Sequence, residues 1–210
     1  MIQTFRVRDM NVERELARFL DKHLYNNGYF SKAVRTDLYE SQMTGSDIIL
    51  SIPKIGIENA VVDEKGQTQY IPALPTFALE LSFLSSNGSI IEGWLTDIEK
   101  KTEYYLLIWI QDAGGKKWNL KSSDFKKIDY VLVRRADIIN YLSSNGYTTA
   151  KLREKAKEIR NAGISGPIDK GVNSDFYFFY TTKLVEQPIN IVIRRVVYER
   201  LAVLKGTIET

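Results

Sequence analysis

The chain contains no cysteine and a single histidine, His23, in 210 residues. Without cysteine there is no disulfide framework and no thiolate zinc site. One histidine excludes a histidine pair on a metal and any nucleophile relay that needs a second imidazole. Proline is scarce at five residues. No apolar run approaches the roughly 20 residues of a membrane-spanning helix. The opening Met1-Ile2-Gln3-Thr4-Phe5-Arg6-Val7-Arg8 has neither the apolar core nor the small-residue cleavage site of a secretory signal. The expectation is a cytoplasmic protein with no membrane partner. Any chemistry must fall mainly to carboxylates, lysine, tyrosine, hydroxyls and a hard metal ion.

What is present is an ordinary globular balance, 44% apolar and 26% charged. That excludes disordered, collagen-like and low-complexity chains. The length predicts a single domain over 1–210. The net charge of +3 hides an asymmetry. Residues 1–115 carry 11 basic and 16 acidic side chains, whereas 116–160 carry 12 basic and five acidic. The basic segment begins with Lys116 and Lys117, passes through Arg134 and Arg135, and ends in the Lys- and Arg-rich stretch 151–160. Such a block can neutralise phosphates and release their counterions. It is equally consistent with a solvated helix face and a surface loop.

Patterning predicts a mixed α/β fold. Residues 11–25 read as an amphipathic helix, capped by Asn11 and ended by Asn26-Asn27-Gly28. A first strand is expected near 30–38. A hairpin of 46–52 and 57–65 follows, turning at Pro53–Gly56 and ended by Gly66. Further strands are expected at 77–84, 89–95, 104–110, 130–133 and 176–180, with Asn87-Gly88 as a hairpin turn. Helices are expected at 135–142, 149–162 and 189–204, and a loop at 163–174. The order is neither that of a sandwich nor that of a doubly wound parallel sheet.

The acidic residues form the most informative pattern. Side chains alternate along a strand, so Asp63 and Lys65 share one face while Glu64 takes the other. Gln67 joins Asp63 and Lys65 if the strand runs past Gly66. Asp47, near the start of the hairpin partner, can bring a second carboxylate alongside. Two carboxylates completed by water suit Mg²⁺ or Mn²⁺, with a lysine beside them to steady a developing oxyanion or orient a water. On the helix, about 100° per residue places Glu13 within the apolar arc and Glu15 toward the polar side with Lys22. A carboxylate on a buried stripe needs a partner. Glu13 is also explained by compensation of the helix dipole, and Asp47 and Asp63-Glu64-Lys65 by ordinary turns.

The order of these groups resembles the PD-(D/E)XK nuclease superfamily, the restriction-endonuclease-like fold. Its core runs helix, three strands, helix, strand, with an Asp at the start of the second strand and (Asp/Glu)-X-Lys on the third. The stretch Val12-Glu13-Arg14-Glu15-Leu16 is similar to the first helix of the archaeal Holliday-junction resolvases. The match covers residues 11–67, and Ser46 stands where the motif commonly has Pro. The resemblance implies a restriction-endonuclease-like core, a helix and three-stranded meander with additional strands and C-terminal helices. It implies a metal-dependent nuclease, with Asp47, Asp63 and Glu13 at Mg²⁺ or Mn²⁺, and Lys65 and Gln67 in the catalytic set. Nucleic acid, foremost DNA, is the implied partner, gripped by Lys116, Lys117, Arg134 and Arg135; homodimers are common in the superfamily. The competing readings are a nuclease-like module that binds without cutting, and an interaction protein with no nucleic-acid role.

Overall fold

The structure, a computed structural model, describes residues 6–36 and 45–210, with side chains from Met10 onward. Among the described residues it is a mixed α/β chain with two β-sheets and four α-helices. Contacts divide it into two units. One comprises the described residues up to Leu74, Lys101–Arg134 and Leu201–Thr210; the other comprises Pro75–Lys100 and Arg135–Arg200. A single domain, with room for an appended lobe, was expected. The second unit is drawn from two connections of the first: residues 75–100 lie between its parallel strands, which need a long crossover, and residues 135–200 form a later excursion.

The first unit opens with α1 (Arg6–Leu20), which runs on into a π-helical turn at Asp21–Tyr25. Val12, Leu16, Phe19, Leu20 and Leu24 form its buried stripe, each at most 6% exposed. The helix starts earlier than predicted, so Asn11 is an exposed residue within it and not its cap. Gly28, with φ of +72°, helps turn the chain after it, as expected. The helix packs on a six-stranded sheet of order β1-β2-β3-β6-β7-β11. Its strands are β1 (Lys32–Arg35), β2 (Ile48–Ile52), β3 (Ile57–Gln67), β6 (Tyr104–Asp112), β7 (Lys127–Arg134) and β11 (Ala202–Glu209). The predicted first strand overlaps β1, and its last two residues, 37 and 38, lie outside the described residues. Residues 104–110 of β6 are buried without a break. The near-continuous apolar run reflects a central strand covered on both faces.

Strand lengths set up the region of interest. β3 has eleven residues and β2 five. β3 pairs antiparallel with β2 through Ile57–Val62, then parallel with β6 from Val62 to Gln67. Beyond Val62 the edge that faced β2 has no strand beside it among the described residues, so its amides must find side-chain acceptors. Gly66 was expected to end β3 and lies inside it. A Cβ at Gly66 would stand 2.5 Å from Leu16 Cδ2, so the bare backbone is what lets α1 approach so closely.

The second unit holds a five-stranded sheet of order β5-β4-β10-β9-β8. These strands are β4 (Thr76–Leu84), β5 (Ile90–Glu92), β8 (Gly166–Ile168), β9 (Phe176–Tyr180) and β10 (Ile189–Arg194). Its helices are α2 (Arg135–Ser144), α3 (Thr149–Ala162) and α4 (Arg195–Leu201). Thr148 caps α3 at its start, and Gly163 ends it in the left-handed region. The helix predicted over 189–204 is instead strand β10, short α4 and the start of β11. Ile189, Ile191 and Ile193 are at most 1% exposed and alternate with Asn190 and Val192, a β-branched run that favours a strand paired on both sides. The described residues therefore end in a strand, not in C-terminal helices. The predicted loop 163–174 contains β8.

Candidate functional site

Asp47 stands immediately before β2 and straddles Asp63. Its amide donates to the Val62 carbonyl at 3.0 Å, and its Oδ2 accepts the Glu64 amide at 2.7 Å. One acid thus holds the residues on either side of the other. The Glu64 amide is one that β2 is too short to reach. Asp63 is 2% exposed, and its Oδ1 pairs with Lys65 Nζ at 2.9 Å. Asp63 Oδ2 is buried with no hydrogen-bond donor. Burial pushes the Asp63 carboxyl up, Lys65 pulls it down, and Asp47 pushes it up again, leaving it at about 7. The Lys65 side chain is one-third exposed. Burial alone would lower its ammonium, but Asp63 and Asp47 outweigh that and hold it above the usual lysine value.

On the other face of β3 the polar groups are satisfied. Arg35, at the end of β1, donates to Glu64 Oε2 at 2.8 Å and to Asp21 Oδ1 at 2.9 Å, and also to the Ala17 carbonyl at 3.0 Å. Tyr25 donates its hydroxyl to Glu64 Oε1 at 2.5 Å. Burial raises the Glu64 carboxyl, while Arg35 and Tyr25 oppose the rise. Burial and the Glu64 charge push the Tyr25 hydroxyl well above its ordinary value. The sequence reading missed this network. The available signal was the alternation that puts Glu64 opposite Asp63, on the helix side, where a carboxylate needs partners.

Comparison with protein-family models, characterised proteins and solved structures finds no match to this chain. The residues themselves therefore carry the functional argument.

The remaining predicted residues divide sharply. Glu13 was placed on the buried stripe of α1, yet it is exposed, while Glu15 is 9% exposed. Glu15 accepts the Ser122 amide at 3.0 Å and pairs with Arg18 at 2.6 Å. The reversal arises because α1 packs against the turn at Ser122–Asp124, whose amide requires an acceptor on the Glu15 side. Among the described residues no three acidic or histidine side chains gather into one metal-binding group, so Glu13 does not complete a cluster with Asp47 and Asp63. Gln67 shares the Asp63 face by alternation, and its Oε1 accepts the Leu74 amide, tying down the start of the crossover.

The basic segment is divided between the two units at Arg134 and Arg135. Lys116 is exposed and pairs with Asp124 at 2.7 Å, and Lys117 is exposed on the same loop. Arg134 is exposed and donates to the Tyr104 hydroxyl at 2.9 Å. Arg135, expected at nucleic acid, is committed to the carbonyls of Leu95, Lys100 and Asp97 and closes a turn. Along α3, Arg153 is taken by Glu92 and Lys155 by Asp169. Tyr105 and Trp109 are fully buried, whereas Trp118 is 59% exposed beside Lys117.

Proposed function

We propose that the chain is a metal-dependent nuclease that hydrolyses phosphodiester bonds, foremost in DNA. One observation carries the reading: Asp47, Asp63 and Lys65 converge at the start of β2, with a buried carboxyl oxygen, Asp63 Oδ2, lacking a donor. An all-oxygen pair with an orphaned buried atom fits a hard divalent cation, and Mg²⁺ is commonly held by one or two carboxylates with water completing its shell. Asp47 and Asp63 would hold such an ion. When bound, it polarises the scissile phosphate and lowers the pKa of a bound water. Lys65, protonated and one-third exposed, reaches solvent from the same point. It donates to a phosphate oxygen and stabilises the charge that develops there. Lys117 and Lys116 offer phosphate contacts on the loop after β6, with Lys116 shared with Asp124.

The order of helix α1, an antiparallel meander β1–β3 and a parallel fourth strand, β6, supports the restriction-endonuclease-like reading. It departs from that pattern between the third and fourth strands, where strands β4 and β5 stand in place of a helix.

The test is incubation of the purified chain with linear, branched and single-stranded DNA in Mg²⁺ or Mn²⁺. Cleavage is expected, with Asp63→Ala and Lys65→Ala each reduced at least about 100-fold while the circular dichroism spectrum is retained. No cleavage of any substrate by the unmodified chain sinks the catalytic reading. Salt-sensitive DNA binding that needs no metal and survives Asp63→Ala would favour a non-cutting module instead.

A further inference from the structure

We infer that Arg35 is a positioning residue for the Asp47–Asp63 pair, acting through Glu64; the inference rests on the cation-binding reading above. β1 has little apolar hold on the sheet, since Lys32, Ala33 and Val34 are exposed. Besides its ladder with β2 and the Lys32–Asn59 bond, its side-chain hold is polar and strongest at Arg35. The Arg35 guanidinium spans Asp21, the Ala17 carbonyl and Glu64 at once. A planar fork with five donors can make such bonds together.

The next residue continues the hold. Thr36 donates its amide to the Asp47 carbonyl at 3.1 Å and its hydroxyl to the Ser46 carbonyl at 2.5 Å. Two consecutive residues thus govern Asp47 from both ends. Thr36 sets its main chain. Arg35 sets Glu64, whose amide is the donor to Asp47 Oδ2. Without the guanidinium, the Glu64 side chain, only 10% exposed, keeps Tyr25 as a donor but loses its counter-charge. A buried carboxylate stripped of its counter-charge moves toward water. Movement carries the Glu64 amide with it, and the Asp47 carboxylate follows. Loss of partners outside the ligands themselves commonly weakens metal affinity about 10–100-fold.

The experiment is calorimetric titration of Mn²⁺ at pH 8 into the full chain and into Arg35→Met, Tyr25→Phe and Lys32→Met, with a melting curve for each. Arg35→Met is expected to weaken Mn²⁺ binding about tenfold or more, and Tyr25→Phe to weaken it in the same direction. Lys32→Met sits on the same strand, where Lys32 donates to Asn59, and should leave affinity unchanged. If Arg35→Met does not fold, Tyr25→Phe, which removes one oxygen, decides the matter. Folded variants that bind Mn²⁺ like the parent overturn the inference, leaving the network a purely structural tie. An equal loss in Lys32→Met also overturns it, because any loosening of β1 would then do the same. If the parent binds no Mn²⁺, the cation reading itself falls and takes this inference with it.

Discussion

Asp63 and Glu64 are adjacent carboxylates on one strand, both removed from water, and their surroundings treat them oppositely. Glu64 faces α1 and is met by a guanidinium and a phenol. Asp63 faces the other way and is met by one ammonium and a second acid. Burial raises both carboxyls, but only Asp63 keeps an oxygen with no donor. Buried polar groups in folded proteins are nearly always satisfied, so the unpartnered oxygen of Asp63 stands out against its satisfied neighbour. Alternation along one strand gives adjacent carboxylates these two different surroundings.

The largest effect should come from breaking that contrast at Asp63. A carboxyl held near 7 in the folded state, against its ordinary value of 3.8, is protonated in the fold where the unfolded chain has already released its proton. Stability in metal-free buffer should therefore fall as pH rises from about 4 to about 7, by roughly 4 kcal/mol at 1.36 kcal/mol per unit. Glu64, also raised, acts in the same sense. Thermal melting in EDTA is expected to give a lower Tm at pH 8 than at pH 5.5. Mn²⁺ should restore it at pH 8 and do little at pH 5.5. Asp63→Asn should flatten the pH dependence and be more stable than the parent at pH 8. A melting temperature that climbs over this interval would refute the assignment.

Removing the counter-charge from the other face should give the opposite sign. Arg35→Met leaves the buried Glu64 carboxylate without its guanidinium and is expected to destabilise by about 1.5–3 kcal/mol, the usual cost of losing a hydrogen bond to a charged group. Urea titration at pH 7 reads this directly, and a stabilised variant would contradict it. A smaller perturbation tests the helix side by packing alone. Gly66→Ala places a methyl against Leu16, which is itself buried, so overpacking should cost about 1–3 kcal/mol. The same denaturation experiment measures it, and an unchanged midpoint would mean that Leu16 turns aside freely.

Much of the first unit was legible before any coordinates. The stripe Val12, Leu16, Phe19, Leu20 and Leu24 announced α1, and the turn at Pro53–Gly56 announced the β2–β3 hairpin. Errors arose where one segment answers to two periodicities. Residues 189–204 carry enough apolar side chains for a helix, but Ile189, Ile191 and Ile193 become a central strand because β4 and β9 lie on either side. Glu13 and Glu15 exchanged places for a similar reason. The helical wheel gives angles, and only packing against the Ser122–Asp124 turn says which flank of the apolar arc is covered. Arg135 looked like a phosphate ligand because a basic run does not reveal which cations are already spent on carbonyls.

The amino-acid order alone determined that Asp63 and Lys65 lie on one face of a strand and Glu64 on the other, since pleating is a local property of the backbone. It also determined, through the lack of cysteine, that no thiolate of this chain can hold a metal. Tertiary structure decided the rest. It brought Asp47 against Asp63, gave Glu64 its partners from a helix and an edge strand, and divided the basic segment between two units. Those outcomes depend on which distant segments pair, and pairing is settled by burial summed over the whole chain rather than by any short stretch of it.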